Sequence, residues 1–400
     1  MKRVLFVAAL LLLAGLVPAQ TSDNAGNSYQ NAAEKMLAAD GKLTIGGYGQ
    51  IDYNQPLSSE KRYNGVLDVH RLVMLFGYRF NERTQFITEV EYEHVSEVYI
   101  EQAFLQYKIT SGLNFRGGLL LIPMGIVNEY HEPTTFNGVE RPLIDNIISP
   151  TTWREIGFGI SGNLIASSLK YQAYLVNGFS GYNGTAQLDG RNGLRKGRQK
   201  GANSYLSAPN FSGKVEYYGI KGLNVGVSGY FGNTQSTLYN GLSKDNDTAL
   251  AKADSSVMGL SMIGVDARYT LKGLQLRGQY YFAGLSNTRQ YNHFTAKSGK
   301  PNDLGSAMTG YYAEAAYNVF RPLNLKDELT PFVRLEGYNT HHAVADGLTK
   351  NKAYQTTAIT TGLGWKPAPG AVLKADLQLV KPQTADKFTT TFNAGIGILF

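Results

Sequence analysis

The sequence predicts an all-β fold, a 16-stranded antiparallel transmembrane β-barrel, and three observations carry that reading. From residue 42 onward, apolar and polar residues alternate with period two, in segments about 10 residues long with one continuous apolar face. The connections between segments alternate between tight turns and long polar loops. Of 400 residues only 17% are charged while 12% are aromatic, with 26 Tyr, 18 Phe and 45 Gly; an ordinary globular domain has about 25% charged residues. The absence of Cys excludes a disulfide framework, an iron–sulfur centre and a thiolate zinc site. The aromatic content excludes a disordered chain.

Taken in order, the chain opens on a leader. Lys2 and Arg3 precede the apolar stretch Val4 to Val17, and Val17-Pro18-Ala19 is a small-residue cleavage site, so residues 1–19 read as a signal peptide and Gln20 as the first mature residue. The apolar stretch is too short for a membrane helix, which needs about 20 residues. Loss of Lys2 and Arg3 lowers the formal charge from +7 to +5. Residues 20–41 are a polar segment with a brief helix, in which Ala32, Ala33, Met36 and Leu37 fall at helical spacing. Residues 42–400 are the barrel. Its segments start near 42, 65, 84, 97, 113, 154, 167, 209, 223, 259, 274, 308, 329, 355, 371 and 387. Tight turns are Asn81-Glu82-Arg83, Ser111-Gly112, Gly219 to Gly222 and Leu271-Lys272-Gly273; long loops are 125–153, 178–208, 233–258, 283–307 and 339–354. A soluble sandwich is the competing architecture, but its strands run about 5–6 residues and its connections do not alternate in length. Lipid offers the backbone no hydrogen bonds, so a sheet in a bilayer must close on itself. Tyr48, Tyr53, Tyr217, Tyr218, Tyr230, Tyr269, Tyr280 and Tyr281 lie near segment ends and read as aromatic girdles.

With apolar faces turned to lipid, the polar faces line the lumen. That places Arg116, Lys170, Lys214, Arg268, Arg277, Arg334 and Lys374 there, with Glu89, Glu91, Glu93, Glu216, Asp266, Glu314, Glu336 and Asp376. The stripe Glu89, Glu91, Glu93 is expected to pair with arginines such as Arg116 and Arg71 rather than to hold a cation. Because Arg268, Arg277 and Arg334 fall in the second half of the chain, opposite walls of opposite sign are expected. Two strands leave their faces open: GVLDVHRLVMLF, where His70 and Arg71 point opposite ways, and EVYIEQAFLQYKIT, where Glu101 and Gln102 compete. The 125–153 loop, with Glu129, His131, Glu132, Glu140, Arg141 and Asp145, is a candidate constriction. The loop at 178–208 carries Arg191, Arg195, Arg198, Lys196 and Lys200, either as a solvated basic loop or as an attractor of anions or lipopolysaccharide phosphates.

No signal for catalysis stands up. Gly157-Phe158-Gly159-Ile160-Ser161-Gly162 fits G-x-G-x-x-G, but strand alternation runs through it where a helix should begin. No nucleophile elbow or metalloprotease motif occurs, and His341-His342 has no carboxylates in register. The expectation is a non-enzyme with no catalytic residue, no metal and no cofactor.

The sequence resembles the phosphate-selective porin O and P family of Gram-negative outer membranes. The residues that carry the resemblance are GYGQIDY (47–53), FITEVEYEHVSEVYIEQAFLQY (86–107), GGLLLIPMGIVNEYHEPTTFNGVERP (117–142), SPTTWREIGFGISGNL (149–164), LRKGRQKG (194–201), LTPFVRLEGYNT (329–340) and Phe400. It covers 42–400, and the order of the motifs persuades more than any one of them. It implies an outer-membrane homotrimer with the third outer loop folded into the lumen and a basic pore. The expected function is passive diffusion of small anionic or neutral solutes, weakly anion-preferring and phosphate-selective if the resemblance extends so far. Outer-membrane lipid and lipopolysaccharide are the expected surroundings, and no nucleic acid is expected. The alternative is a surface adhesin or receptor acting through its long loops.

Overall fold

The structure, a computed structural model, describes residues 29–400, so the leader lies outside the described residues. A short helix, α1 (Ala32–Ala38), precedes β1 (Leu43–Leu57), β2 (Val66–Arg79), β3 (Thr84–Glu93), β4 (Glu97–Thr110), β5 (Leu113–Leu121) and β6 (Arg154–Leu164). Then come β7 (Leu169–Val176), β8 (Asn210–Ile220), β9 (Leu223–Asn233), β10 (Gly259–Leu271) and β11 (Leu274–Leu285). The wall ends with β12 (Ala307–Tyr317), β13 (Glu328–Ala343), β14 (Gln355–Ala368), β15 (Ala371–Pro382) and β16 (Thr389–Leu399). Each strand starts within two residues of the position read from the alternation. Neighbours in sequence are neighbours in the wall, and β1 pairs antiparallel with β16 to close the barrel. A short parallel pair, Ser180–Tyr182 with Gln235–Ser236, joins two long loops.

The period of two sorts the faces. On β1, Ile45 is 63% exposed on the outer surface while Tyr48 is 0% exposed inside. The outer face is a belt of exposed Leu, Ile, Val and Phe, the surface that hydrocarbon covers in a membrane barrel. At the seam the Gly47 N–H donates to the Phe400 carbonyl (3.0 Å) and Phe400 N–H to Gly47 (2.9 Å). A side-chain carbon on Gly47 would stand 2.7 Å from both the Phe400 ring and the Val73 carbonyl, so the closing strand requires glycine there.

Two β-bulges settle the strands whose faces were open. Gln50 pairs with Arg71 but Asp52 with Asp68. The extra residue on β2 turns both His70 and Arg71 inward: His70 Nδ1 lies 3.2 Å from Asp52, and Arg71 is buried. On β4, Glu89 pairs with Gln102 and Val90 with Ile100, so Glu101 is the extra residue, and both Glu101 and Gln102 are buried in the lumen. The apolar inner face of β2 has a separate cause. Helix α1 lies inside the barrel, and its Ala32, Ala33 and Met36 join Val73, Leu75 and Ile87 in one apolar cluster. Asn31 caps the helix, accepting from Glu34 N–H (2.9 Å) while the Glu34 carboxylate accepts from Asn31 N–H (3.2 Å).

The aromatic-girdle reading needs correction. Tyr48, Tyr218, Tyr230 and Tyr281 are buried on the lumen face, in the same parity as Gln50, Glu216, Ser228 and Gln279. Their hydroxyls have partners there: Tyr48 donates to Glu101 (2.7 Å), Tyr230 to Glu155 (3.0 Å) and Tyr281 to the Met124 carbonyl (3.2 Å). Tyr280, one residue out of that parity, is 46% exposed on the outer face.

Candidate functional site

The connection 122–153, between β5 and β6, turns inward and fills the waist of the barrel. Asn128 ties its two legs together: its side chain donates to the Ile122 and Trp153 carbonyls (2.7 and 2.9 Å) and accepts from Trp153 N–H (2.7 Å). Trp153 is fully buried, with ring centroids 4.6 Å from Phe179 and 4.6 Å from Tyr230. From this neck the loop reaches around the wall. Val139 N–H donates to Asp376 (2.6 Å) and Leu143 N–H to Glu336 (2.6 Å). Lys374 donates to the Phe136 and Gly138 carbonyls (2.8 Å each) and Arg277 to that of Thr135 (2.7 Å). Wall glycines mark the footprint. A side-chain carbon on Gly310 would lie 2.8 Å from Ile148, and one on Gly397 2.8 Å from Pro133.

The constriction residues named from the sequence are all on this inserted segment. Glu129 lies 3.3 Å from Lys214 Nζ. His131 Nε2 faces the Tyr48 hydroxyl (2.9 Å) and Glu101 (3.2 Å). Glu132 accepts from Ala32 N–H of α1 (2.9 Å), and Glu140 accepts from Asn54 (3.0 Å). Arg141 donates to the His131 carbonyl (3.0 Å), and Asp145 accepts from Gln279 (2.8 Å). Burial pushes the Asp145 carboxyl up to about 7, despite hydrogen bonds from Gln279 and Tyr281 that work the other way.

Most of the wall cations are neutralised locally. Arg268 lies 2.6 Å from Glu216, and Lys170 2.7 Å from Glu34 of α1. Arg334 reaches Glu314 (3.5 Å) and Glu336 (3.4 Å), and Arg277 reaches Glu314 (3.8 Å). Lys214 sits among Glu129, Glu216 and Asp266 (3.4 Å). The expected segregation of sign onto opposite walls is therefore corrected, because carboxylates on the same or nearby strands, on α1 and on the inserted loop compensate most of the wall cations. Within the acidic stripe, Glu91 pairs with Arg71 (3.3 Å), and Glu89 accepts from Gln102 (2.8 Å). Glu93 stands at the rim of the outer cavity. Arg116 does not join the stripe; it donates to Gln106 (2.8 Å) and Tyr174 (3.3 Å) and lies over the Phe104 ring.

Above the waist, on the long-loop side, is a cavity of about 460 Å³. Arg141, Arg154, Arg195, Arg198 and Lys200 line it, from three separate segments, along with the carboxylates Glu91, Glu93, Glu140 and Asp145. The 178–208 loop folds over the neck of the inserted loop. Arg198 donates to the Pro150 (3.2 Å), Thr151 (2.9 Å) and Thr152 (3.2 Å) carbonyls, and Arg195 to that of Thr151 (3.3 Å). Arg154 and Lys200 both lie over the Tyr99 ring. Among the described residues, none of these five cations forms an ion pair with a carboxylate, unlike Lys170, Lys214, Arg268, Arg277 and Arg334 of the wall. Burial first, then Arg195 and Arg154 beside it, hold Arg198 down to about 9. Burial and Arg71 hold Arg141 down to about 10, and burial and Arg198 lower Lys200. Arg198 and Arg141 remain charged at neutral pH, so the vestibule stores positive charge that an anion would relieve. A second cavity, about 390 Å³, opens at the short-turn end between α1 and the wall, lined by Glu34, Arg79, Arg116 and Lys170.

No protein-family model matches the chain. A protein of Aquifex aeolicus (strain VF5), described as uncharacterized, is 32% identical over 359 residues, spanning 86% of this chain and 77% of the relative. The chain belongs to the same family as that protein. Solved structures with the same fold include an anion-selective porin from Comamonas acidovorans (TM-score 0.55, 13% identity, 90% of this chain and 99% of that one). Salmonella typhi OmpF in complex with daunomycin gives 0.54 at 11% identity, covering 90% and 97%; the trimer form of Vibrio cholerae OmpT gives 0.52 at 13%, covering 90% and 100%. The fold is that of the 16-stranded outer-membrane porins.

Proposed function

We propose that the protein is a diffusion channel of a Gram-negative outer membrane, exported with cleavage of its leader and assembled as a homotrimer. It passes small solutes with a modest preference for anions, phosphate-like ones among them, as in the phosphate-selective porin family that the sequence resembles. The observation that carries this reading is the outer vestibule. Among the described residues, five cations without carboxylate partners surround a cavity wide enough for a small oxyanion, whereas Arg268 and Arg334 of the wall are paired. Such a field concentrates anions at the mouth without trapping one in the waist. The test is the reversal potential of the purified protein in planar bilayers under a KCl gradient. An anion-selective sign that moves toward zero in R195A/R198A/K200A is expected; a cation-selective sign in the wild type refutes the reading.

A second reading, a surface receptor acting through its loops, draws support from the waist, which the inserted loop and α1 largely occupy. Absence of any conductance from a correctly folded barrel selects it.

A further inference from the structure

We propose that Glu89, Glu101 and His131 form a binding site for a divalent transition-metal ion, with Zn²⁺ as the fitting probe. One ligand atom from each lies within 4.8 Å of the other two, and all three residues are buried. Imidazole nitrogen and carboxylate oxygen are both donors that Zn²⁺ accepts.

The hydrogen bonds around His131 lead to a positive species at this point. Its Nδ1 lies 3.1 Å from the Asn128 carbonyl, which only accepts, so Nδ1 carries the proton and Nε2 of the neutral ring presents a lone pair. That lone pair faces Glu101 Oε2 at 3.2 Å and the Tyr48 hydroxyl at 2.9 Å. The one Tyr48 proton can serve Glu101 (2.7 Å) or Nε2, not both. With that proton on Glu101 a neutral ring faces acceptors alone, and a second proton or a metal ion between them relieves the contact.

Two further observations favour the metal. Glu101 Oε1 is buried without a hydrogen-bond partner, and so is Glu132 Oε2 on the next residue after His131. Glu89, Glu91, Glu101 and Glu132 gather here, and the guanidinium with ion pairs to this group is Arg71, at 3.3 Å from Glu91 and 3.9 Å from Glu101. One proton on His131 answers the lone pair and supplies a single positive charge beside Glu101, fewer than the carboxylates gathered here. A dication draws on all of them. Each ligand is also held from behind: His131 by the Asn128 carbonyl, Glu89 by Gln102 (2.8 Å) and Glu101 by Tyr48. That outer ring of partners is what orients metal ligands. The bound ion would clamp the inserted loop to β3 and β4. No ligand spacing announces the site, because its residues come from two strands and a loop, and one is turned inward by a bulge.

The site stands apart from the anion reading, since its test is binding rather than ion selectivity. The purified, heat-modifiable barrel is stripped with chelator and titrated with ZnCl₂ at pH 7 by calorimetry. One Zn²⁺ per chain is expected, with affinity reduced on the order of 100-fold in H131Q. Glu89→Gln gives a second ligand variant if H131Q fails to assemble, and it should weaken binding in the same way. His94→Gln should bind as the wild type does; His94 and His70, with rings 5.6 Å apart at the rim, are the competing site. No saturable Zn²⁺ binding by the wild type, or loss of binding in H94Q with H131Q and E89Q unaffected, overturns the proposal.

Discussion

The waist and the outer vestibule use the same residue types to opposite ends. In the waist, Arg268, Arg334 and Lys214 each meet a carboxylate on a nearby strand or on the inserted loop, and their charge is spent on holding the wall and the loop together. In the vestibule, Arg195, Arg198 and Lys200 are held by backbone carbonyls and an aromatic ring, so their charge remains available. A count of lumen charges does not see this difference. Which cations attract solute depends on which already have partners.

The largest test removes the waist. Deleting Thr134 to Asp145 takes out the contacts to Lys374, Asp376 and Glu336 and should raise single-channel conductance severalfold. Unchanged conductance in a correctly folded barrel would mean that the inserted loop does not limit flow. The next contrasts the two kinds of arginine. R268A leaves the buried Glu216 without its 2.6 Å partner and should cost about 3–5 kcal/mol, read as earlier loss of the heat-modifiable band in urea. R195A/R198A/K200A should leave that band in place and move the reversal potential. If R268A instead shifted selectivity at unaltered stability, the division between paired and available charge would fail.

The limits of the sequence follow from the same comparison. Alternation located every strand of the wall because lipid forces one face to be apolar there. It could not resolve His70 against Arg71 or Glu101 against Gln102, because a bulge turns two consecutive residues to one side. The girdle reading misassigned Tyr48, Tyr230 and Tyr281 by weighing residue type over parity. The vestibule was legible only in fragments: the basic run around Arg195 was visible, but nothing local announces that it folds against Arg141 and Arg154. Contacts between loops are set by tertiary packing, which has no period to read.

A pH series refines the comparison with a smaller effect. Asp145 in the waist is pushed up to about 7, and Arg198 in the vestibule is held down to about 9. As pH rises through 7, Asp145 becomes negative; as it rises through 9, Arg198 loses its positive charge. Both changes reduce anion preference, so reversal potentials should fall in two steps. D145N should abolish the lower step and keep the upper one. A single step, or a rise in anion preference with pH, contradicts the assignment.

The smallest effect on the pore is expected from a residue that belongs to neither region. Phe400 is 71% exposed on the outer face, and its backbone makes both seam hydrogen bonds to Gly47. Phe400→Ala keeps those bonds and removes a ring that meets hydrocarbon in either the folded or the inserted state, so the assembled barrel loses little. Conductance, selectivity and the urea midpoint should match the wild type. The terminal aromatic on a fully alternating strand resembles the signal read by the outer-membrane insertion machinery, so the yield of heat-modifiable barrel in cells should drop. Equal yield in the variant would remove that role from Phe400. A changed reversal potential would show that the wall transmits seam strain to the lumen, and the waist and vestibule could then no longer be treated as local electrostatic problems.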